Sequence, residues 1–209
     1  MYLEALDEKR KKVFDTLIGS SSVENFELGG GTALALQIGH RISFDFDFFT
    51  TSFLNKNLLK DLEKELSGNS FKILGNSIEE LTFLIDGVKV TFLHYPFPRL
   101  LPCVNLNGVK AFAPLEIAST KAYTIGRRIE YKDYIDLYFL LKQKGISLRK
   151  ILDLSEKKYG GSFNSRLFLS QLLLESDVKE TTINFLNESV TKKEVFRFFE
   201  DLVLKFKLD

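Results

Sequence analysis

The alternation of apolar and polar positions divides the chain into two halves with different periods. Leu3, Leu6, Val13, Phe14 and Leu17 fall near one face of a 3.6-residue repeat, which predicts an amphipathic helix over residues 4–18. Ser20, Ser21 and Ser22 interrupt it, and Val23 to Leu28 reads as a short strand ended by Gly29, Gly30 and Gly31. Thr32 to Gly39 predicts a short helix, because Ala and Leu favour one and Gly39 suits its end. From Phe44 to Thr50 the period changes to two. Phe44, Phe46 and Phe48 are expected on a buried face and Asp45 and Asp47 on the opposite one. An amphipathic helix follows over Leu58 to Leu66, then strands over Phe71 to Leu74 and Leu81 to Ile85. Asp86-Gly87 is a two-residue hairpin signal, with the return strand over Val88 to Tyr95.

All four prolines (Pro96, Pro98, Pro102 and Pro114) lie in the next stretch, which resists both helix and sheet and marks a boundary. Beyond it no strand pattern is evident. Helices are expected over Leu115–Ile125, Lys132–Gln143, Leu148–Lys158, Ser162–Leu174 and Lys192–Lys205, while 175–190 carries no clear period. The reading is a mixed α/β region over 1–113 followed by a helical region over 114–209.

The hydrophobic fraction of 44% and charged fraction of 27% fit an ordinary folded chain rather than a disordered one. The net charge of +1 gives no global field for nucleic acid, but residues 121–150 carry eight Lys or Arg against three acids. Such a stretch serves equally as a solvated helix surface or as a phosphate-attracting face. Cys103 is the only cysteine, so an intrachain disulfide and a cysteine-based zinc site are excluded. No apolar run approaches the roughly 20 residues of a membrane span. The mixed charges at the start do not read as a signal peptide, and a cytoplasmic location is expected.

Asp45 and Asp47 carry the clearest candidate chemistry. Two residues apart on a strand, they project to one side, roughly 6–7 Å apart along the backbone. Strands disfavour Asp and like charges repel, and a shared cation removes both penalties. Oxygen-only ligands suit a hard ion, Mg²⁺ first, which completes its shell with water and substrate phosphates. The competing reading is a solvated strand face paired with Lys or Arg. Just upstream, Gly29-Gly30-Gly31-Thr32 leads into a helix whose N-terminus offers free N–H groups and partial positive charge. Thr32 can cap that helix or touch a phosphate. An ordinary turn explains the glycines alone. Together, turn and acids supply the two halves of metal-assisted phosphate chemistry.

The run Gly29-Gly30-Gly31-Thr32-Ala33-Leu34-Ala35-Leu36, followed by His40-Arg41-Ile42-Ser43-Phe44-Asp45-Phe46-Asp47-Phe48-Phe49, resembles the AbiEii/AbiGii-type toxin family of DNA polymerase beta-like nucleotidyltransferases. The similarity continues through Ile85-Asp86-Gly87-Val88-Lys89-Val90, Tyr95-Pro96-Phe97-Pro98, Glu116-Ile117-Ala118-Ser119-Thr120-Lys121 and Lys132-Asp133-Tyr134-Ile135-Asp136-Leu137-Tyr138. It covers roughly residues 26–142. It implies a nucleotidyltransferase-like mixed sheet flanked by helices, with the helical region completing the cleft. It implies an NTP substrate, Mg²⁺ (or Mn²⁺), an acceptor such as tRNA or other RNA, and a cognate antitoxin in a toxin–antitoxin or phage-defence pair. Residue by residue, it implies phosphate binding by Gly30, Gly31 and Thr32, with Arg41, Ser43, Lys132 and Asp136 nearby. It implies metal binding by Asp45 and Asp47, a triphosphate contact by Lys121, and a catalytic role for Asp133.

One position departs from the wider superfamily. A third carboxylate, the base for the attacking hydroxyl, often stands on a neighbouring strand, and the matching position is Thr91. Threonine cannot serve as a base at neutral pH, so either Asp133 takes that part or transfer is weak. A scaffold that holds nucleotide without turnover, or an interaction module using the helical half, are the alternatives. Lys121, Lys132, Asp133 and Asp136 also suit a simple ion-pair network on adjacent helices. Tyr95, Phe97 and the other phenylalanines read as core rather than as stacking platforms for bases.

Overall fold

The computed structural model describes residues 1–143 and 145–206 and separates into two compact units, Met1–Ala113 and Pro114–Asp209. The first is a mixed α/β layer and the second is helical. Among the described residues no helix is long and apolar enough to cross a membrane.

The first unit is built on seven strands: β1 (Glu27–Leu28), β2 (Phe46–Thr50), β3 (Phe71–Asn76), β4 (Glu80–Ile85), β5 (Val88–His94), β6 (Val104–Leu106) and β7 (Val109–Ala111). They form one sheet in the order β3-β4-β5-β2-β1-β7-β6, parallel at β2/β5 and β1/β7 and antiparallel elsewhere. The helices of this unit are α1 (Glu8–Ile18), α2 (Gly30–Ile38) and α3 (Leu58–Glu65). Asp7 caps α1 by accepting from the Arg10 backbone N–H at 2.9 Å. Gly39, in the left-handed region at φ +64°, ends α2 as expected of a terminal glycine.

Phenylalanine supplies the core of one sheet face. Phe14 of α1 stacks on Phe46 at 5.8 Å, and Phe48, Phe92, Phe83 and Phe71 follow one another across β2, β5, β4 and β3. Burying a Phe contributes roughly 1.5–3 kcal/mol. Two such side chains on β2 outweigh the strand cost of Asp47, which is at most about 1 kcal/mol. The strand starts at Phe46, however, not at Phe44. Phe44 is 42% exposed and lies under the Arg10 guanidinium, 4.6 Å from its ring centre, instead of joining the buried face.

Two further expectations are corrected here. Residues 23–28 form only a two-residue strand, because Ser21–Val23 is a 3-10 turn. The Ser20 and Ser21 hydroxyls and the Ser22 N–H donate to the Glu65 carboxylate, which holds that turn from a distance in sequence. The proline-rich stretch also contains the β6–β7 hairpin, closed by Asn107 and Gly108 at φ +52° and +96°.

The second unit contains α4 (Pro114–Thr124), α5 (Tyr131–Lys142), α6 (Leu148–Tyr159), α7 (Ser165–Gln171) and α8 (Lys192–Lys205). Pro114 opens α4, where its missing N–H costs nothing. Helix α5 is buried nearly all round and forms the centre, with Tyr134 against Phe196 and Phe199 of α8. The helix expected over Ser162–Leu174 is shorter, because Gly160–Ser162 is a 3-10 turn and Asn164 caps α7 through the Leu167 N–H. Thr191 and Glu194 form a reciprocal capping box at the start of α8.

Candidate active site

In the first unit the glycine turn and the acidic strand are locked together. The Gly29 N–H donates to the Asp47 carbonyl at 2.9 Å. Gly29 has an ordinary extended φ of −126°, but a Cβ there would overlap the Phe49 ring. Gly30 has φ +64°, and a Cβ there would stand 3.0 Å from Asp47 Oδ2. The absence of both side chains lets the first turn of α2 approach the β2 carboxylate directly.

No side chain caps α2, and its hydrogen-bond ladder starts with the Ala33 N–H to the Gly29 carbonyl. The positive end of the helix therefore faces the Asp47 side chain and stabilises its negative charge. Asp45, one residue before the strand, and Asp47 are both half-buried, whereas Phe46 and Phe48 are buried. That alternation places the two acids on the side away from the phenylalanine core.

The segment bearing Asp45 is held from beneath. Thr32 is 3% exposed, and its hydroxyl bonds to Ser43 Oγ at 2.7 Å and to the Asp45 carbonyl. Arg41 is buried, and its Nη1 donates to the Ile42 carbonyl at 3.0 Å and reaches Ser43 Oγ at 3.5 Å. Thr32, Ser43 and Arg41 thus lie together under the loop. Their buried groups brace it, while the backbone of Gly30 and Gly31 forms the surface of the turn.

Register decides the third position. Asp47 pairs directly with Thr91 across β2/β5, and Thr91 pairs with Thr82 across β5/β4. The Thr82 hydroxyl lies 3.4 Å from Thr91 Oγ1 and donates to Glu80 Oε1 at 2.6 Å. The strand neighbour of Asp47 is therefore a hydroxyl, and Glu80, which accepts from Thr82, stands two residues along β4, opposite Leu93.

An oxygen-only pair on a helix-backed strand fits a hard divalent cation. Among the described residues no group of three or more His, Cys, Asp or Glu is disposed to hold a metal. Two carboxylates suit an ion such as Mg²⁺, which takes its remaining ligands from water and phosphate, better than an all-protein cage.

In the second unit, Lys121 of α4 lies between two acids of α5. Its Nζ is 2.6 Å from Asp133 Oδ1 and 2.6 Å from Asp136 Oδ2, and both carboxylates are fully buried. Arg128 adds a two-pronged contact to Asp133, Nε to Oδ2 at 2.9 Å and Nη2 to Oδ1 at 3.1 Å. Burial alone would raise the Asp133 pKa, but the Lys121 ammonium and the Arg128 guanidinium outweigh it and hold the carboxyl below its usual range. A carboxylate so paired is a weak base. Lys132 lies outside this cluster, at the surface, 2.9 Å from Glu130.

A second buried pair escaped the sequence reading. Lys158 Nζ of α6 meets Glu116 Oε1 of α4 at 2.6 Å with both side chains fully buried, beside the Ser155–Ser119 hydroxyl contact at 3.0 Å. Glu116 lies in a run already singled out, but its partner is 42 residues along the chain and has no local signal.

The family model for the nucleotidyl transferase AbiEii toxin of type IV toxin–antitoxin systems matches residues 13–205, from α1 to α8. The chain belongs to the AbiEii family. It is 30% identical over 183 residues to an uncharacterized protein of Aquifex aeolicus (strain VF5), covering 85% of this chain and 87% of that one. Two crystal structures share the fold. One is a candidate nucleotidyltransferase from H. pylori, with TM-score 0.63, 19% identity, and coverage of 93% of this chain and 91% of that one. The other is JHP933 from Helicobacter pylori, with TM-score 0.61, 17% identity, and coverage of 95% and 91%. The AbiEii match extends well past residue 142, where the motif similarity fades, and takes in the whole helical unit. AbiEii membership makes a nucleotidyltransferase-like fold and a toxin-family lineage properties of this chain.

Proposed function

We propose that this AbiEii-family chain transfers a nucleotide from an NTP to an acceptor hydroxyl on RNA, with tRNA a leading candidate. We further propose that this transfer is the toxic activity of a cytoplasmic toxin–antitoxin pair used in phage defence, restrained by a cognate antitoxin. The observation that carries the reading is the Asp47 carboxylate set against Gly30 at the open end of α2, with Asp45 on the same side.

In this reading Asp45 and Asp47 hold Mg²⁺ or Mn²⁺, and the Gly30–Gly31 backbone receives triphosphate oxygens. A bound divalent ion would offset charge developing on those oxygens. The acceptor oxygen forms a bond to the α-phosphorus, the bond to the β-phosphate bridge breaks, and pyrophosphate leaves. The hydroxyl proton passes to water, since Asp45 and Asp47 would be committed to the cation and Asp133 is a weak base beside two cations. Thr32, Ser43 and Arg41 position the Asp45 segment. Asp133 and Asp136 fix the Lys121 ammonium that the family pattern assigns to the triphosphate, and Lys132 adds surface charge for phosphate.

Purified protein incubated with Mg²⁺, each labelled NTP and total RNA is expected to label RNA, and Asp45→Asn and Asp47→Asn to abolish labelling. Failure of all NTPs, or labelling unchanged in both variants, refutes the reading. Thr91 beside Asp47 favours a second reading, a scaffold that binds nucleotide without transferring it. Calorimetric NTP binding lost in Asp47→Asn, with no RNA labelling by the parent protein, would select that reading.

A further inference from the structure

The two edges of the sheet are finished differently. A strand edge with free N–H and C=O groups pairs with another chain unless proline, lysine, a bulge or shortness blunts it. At one edge, β6 has three residues and lies just after Pro102. At the other, β3 has six, contains no proline, and pairs only with β4 among the described residues. The register shifts between Ile73 and Gly75, which leaves Leu74 without a partner on β4. Ile73 is 44% exposed, Leu74 51%, and Ile78 in the following turn 56%. A single exposed apolar residue needs no explanation, but three in six positions along one edge mark a contact surface.

Gly75 points the same way. Its φ lies outside the left-handed region, and nothing stands within 4 Å of where a Cβ would be. Neither its own backbone nor a neighbour in this chain calls for glycine, and a glycine inside a strand also marks the close approach of another backbone. The charges along this edge lie end to end. Lys72 is exposed at the start of β3, and Glu79 and Glu80 are exposed at the opposite end, where β4 begins. Lys72 pairs with Leu84, which lies on the same sheet face as Thr82 and Glu80, whose side chains are hydrogen-bonded at 2.6 Å. Two copies pairing in parallel would set Lys72 against Lys72. Turned antiparallel by a two-fold axis, with Ile73 facing Leu74, each Lys72 stands opposite Gly75 of the other copy. Glu80 then lies one strand further in, with no side chain at Gly75 between them. The edge is thus complementary to itself, as a two-fold interface requires.

We propose that β3 is a self-pairing edge, through which two copies of this chain join antiparallel and extend their seven-stranded sheets into one. Backbone hydrogen bonds supply the attraction, the Ile73 and Leu74 side chains supply the apolar seam, and Lys72 and Glu80 set the direction. The strands β4 and β5 separate this edge from the acids of β2, so the pairing stands or falls independently of the transferase reading.

Sedimentation equilibrium over about 1–100 μM is measured for the parent chain, Leu74→Lys, Lys72→Glu and Lys72→Glu/Glu80→Lys, with thermal melts to confirm folding. The parent chain is expected to dimerise within that range. Leu74→Lys puts a charge into the apolar seam and should leave only monomer. Lys72→Glu sets acid against acid, twice by symmetry, and should weaken the dimer about tenfold, and exchanging both charges in Lys72→Glu/Glu80→Lys should restore it. Amide exchange over Phe71–Asn76 should slow as the parent chain is concentrated, and not in Leu74→Lys. A parent chain still monomeric at about 100 μM, a dimer that Leu74→Lys leaves intact, a loss in Lys72→Glu that the exchanged pair does not reverse, or concentration-dependent protection confined to other segments overturns the proposal.

Discussion

Replacing Gly30 by Ala tests the central contact of the site. Two costs are readable from the structure. Gly30 adopts φ +64°, and an L-residue in the left-handed region costs about 1–2 kcal/mol. The lower entropy of Ala in the unfolded chain offsets about 0.4–1 kcal/mol of that. The new Cβ also lies 3.0 Å from Asp47 Oδ2, so the carboxylate has to move by a few tenths of an ångström. The net expectation is a loss of about 1–2 kcal/mol. For a chain of this length each kcal/mol lowers the melting temperature by roughly 2–4 °C. Activity is expected to fall further than stability, by about tenfold or more, because a misplacement near 1 Å at a reacting centre costs on the order of 100-fold.

Gly29→Ala makes the informative contrast. Its φ of −126° carries no backbone penalty, yet its Cβ overlaps the Phe49 ring. Overpacking of this kind costs about 1–3 kcal/mol. Shortening the ring should relieve it, so Gly29→Ala/Phe49→Leu is expected to be more stable than Gly29→Ala/Phe49. Phe49→Leu should do nothing for Gly30→Ala, whose strain lies in its own φ and in Asp47. Thermal melts and RNA labelling of the four variants provide the measurement. A Gly30→Ala protein that melts and labels RNA like the parent, or one rescued by Phe49→Leu to the same degree, refutes the reasoning.

Three other outcomes are expected. Lys158→Met leaves Glu116 buried without its cation and should cost about 3–5 kcal/mol in urea unfolding, whereas Glu116→Leu/Lys158→Met should recover most of that loss. The Ser20 and Ser21 hydroxyls and the Ser22 N–H lower the Glu65 pKa from 4.5 to about 2. Because the folded value is depressed, the stabilisation is complete above about pH 4.5 and disappears as pH falls toward 2. Melting temperatures of the parent chain should therefore drop more steeply between pH 5 and 3 than those of Glu65→Gln. Thr91→Asp sets a third carboxylate directly beside Asp47 in a nearly buried position. Like-charge repulsion should destabilise it in chelator, and Mg²⁺ should raise its melting temperature by more than it raises that of the parent. An equal Mg²⁺ response in both would argue against a cation at this position.

The elements legible in the sequence were those whose cause is local. The two-residue period of Phe46, Asp47 and Phe48, the Asp86-Gly87 turn and the terminal Gly39 all state their conformation within a few residues. Where the cause was distant, the reading drifted. Residues 21–23 turn because Glu65, more than forty positions away, accepts from three serines. Phe44 leaves the strand for the Arg10 guanidinium. Asn107-Gly108 did carry a hairpin signal, but its three-residue strands lie among prolines that argue against a sheet. At the site, sequence spacing brought out the acids and glycines. It did not show that Thr32, Arg41 and Ser43 are buried beneath the Asp45 segment rather than lining its surface.

The four aspartates of the motif regions show why residue type and spacing alone do not assign roles. Asp45 and Asp47 are half-buried, and the uncapped end of α2 stands beside Asp47, where the environment favours negative charge. Asp133 and Asp136 are fully buried and share Lys121, with Arg128 taking both oxygens of Asp133. Removing such a carboxylate from water is costly unless its partners remain in place, so the α5 acids are committed to holding a cationic side chain. Asp47 has Gly30 beside it, with no side chain between the carboxylate and the first turn of α2. Under the proposed function, a ligand that needs metal would meet Asp45 and Asp47, and Asp133 and Asp136 would act through the Lys121 ammonium they fix. In that reading, burial separates the two tasks: Asp133 and Asp136 are enclosed around Lys121, and Asp45 and Asp47 stay half-buried beside the glycine turn.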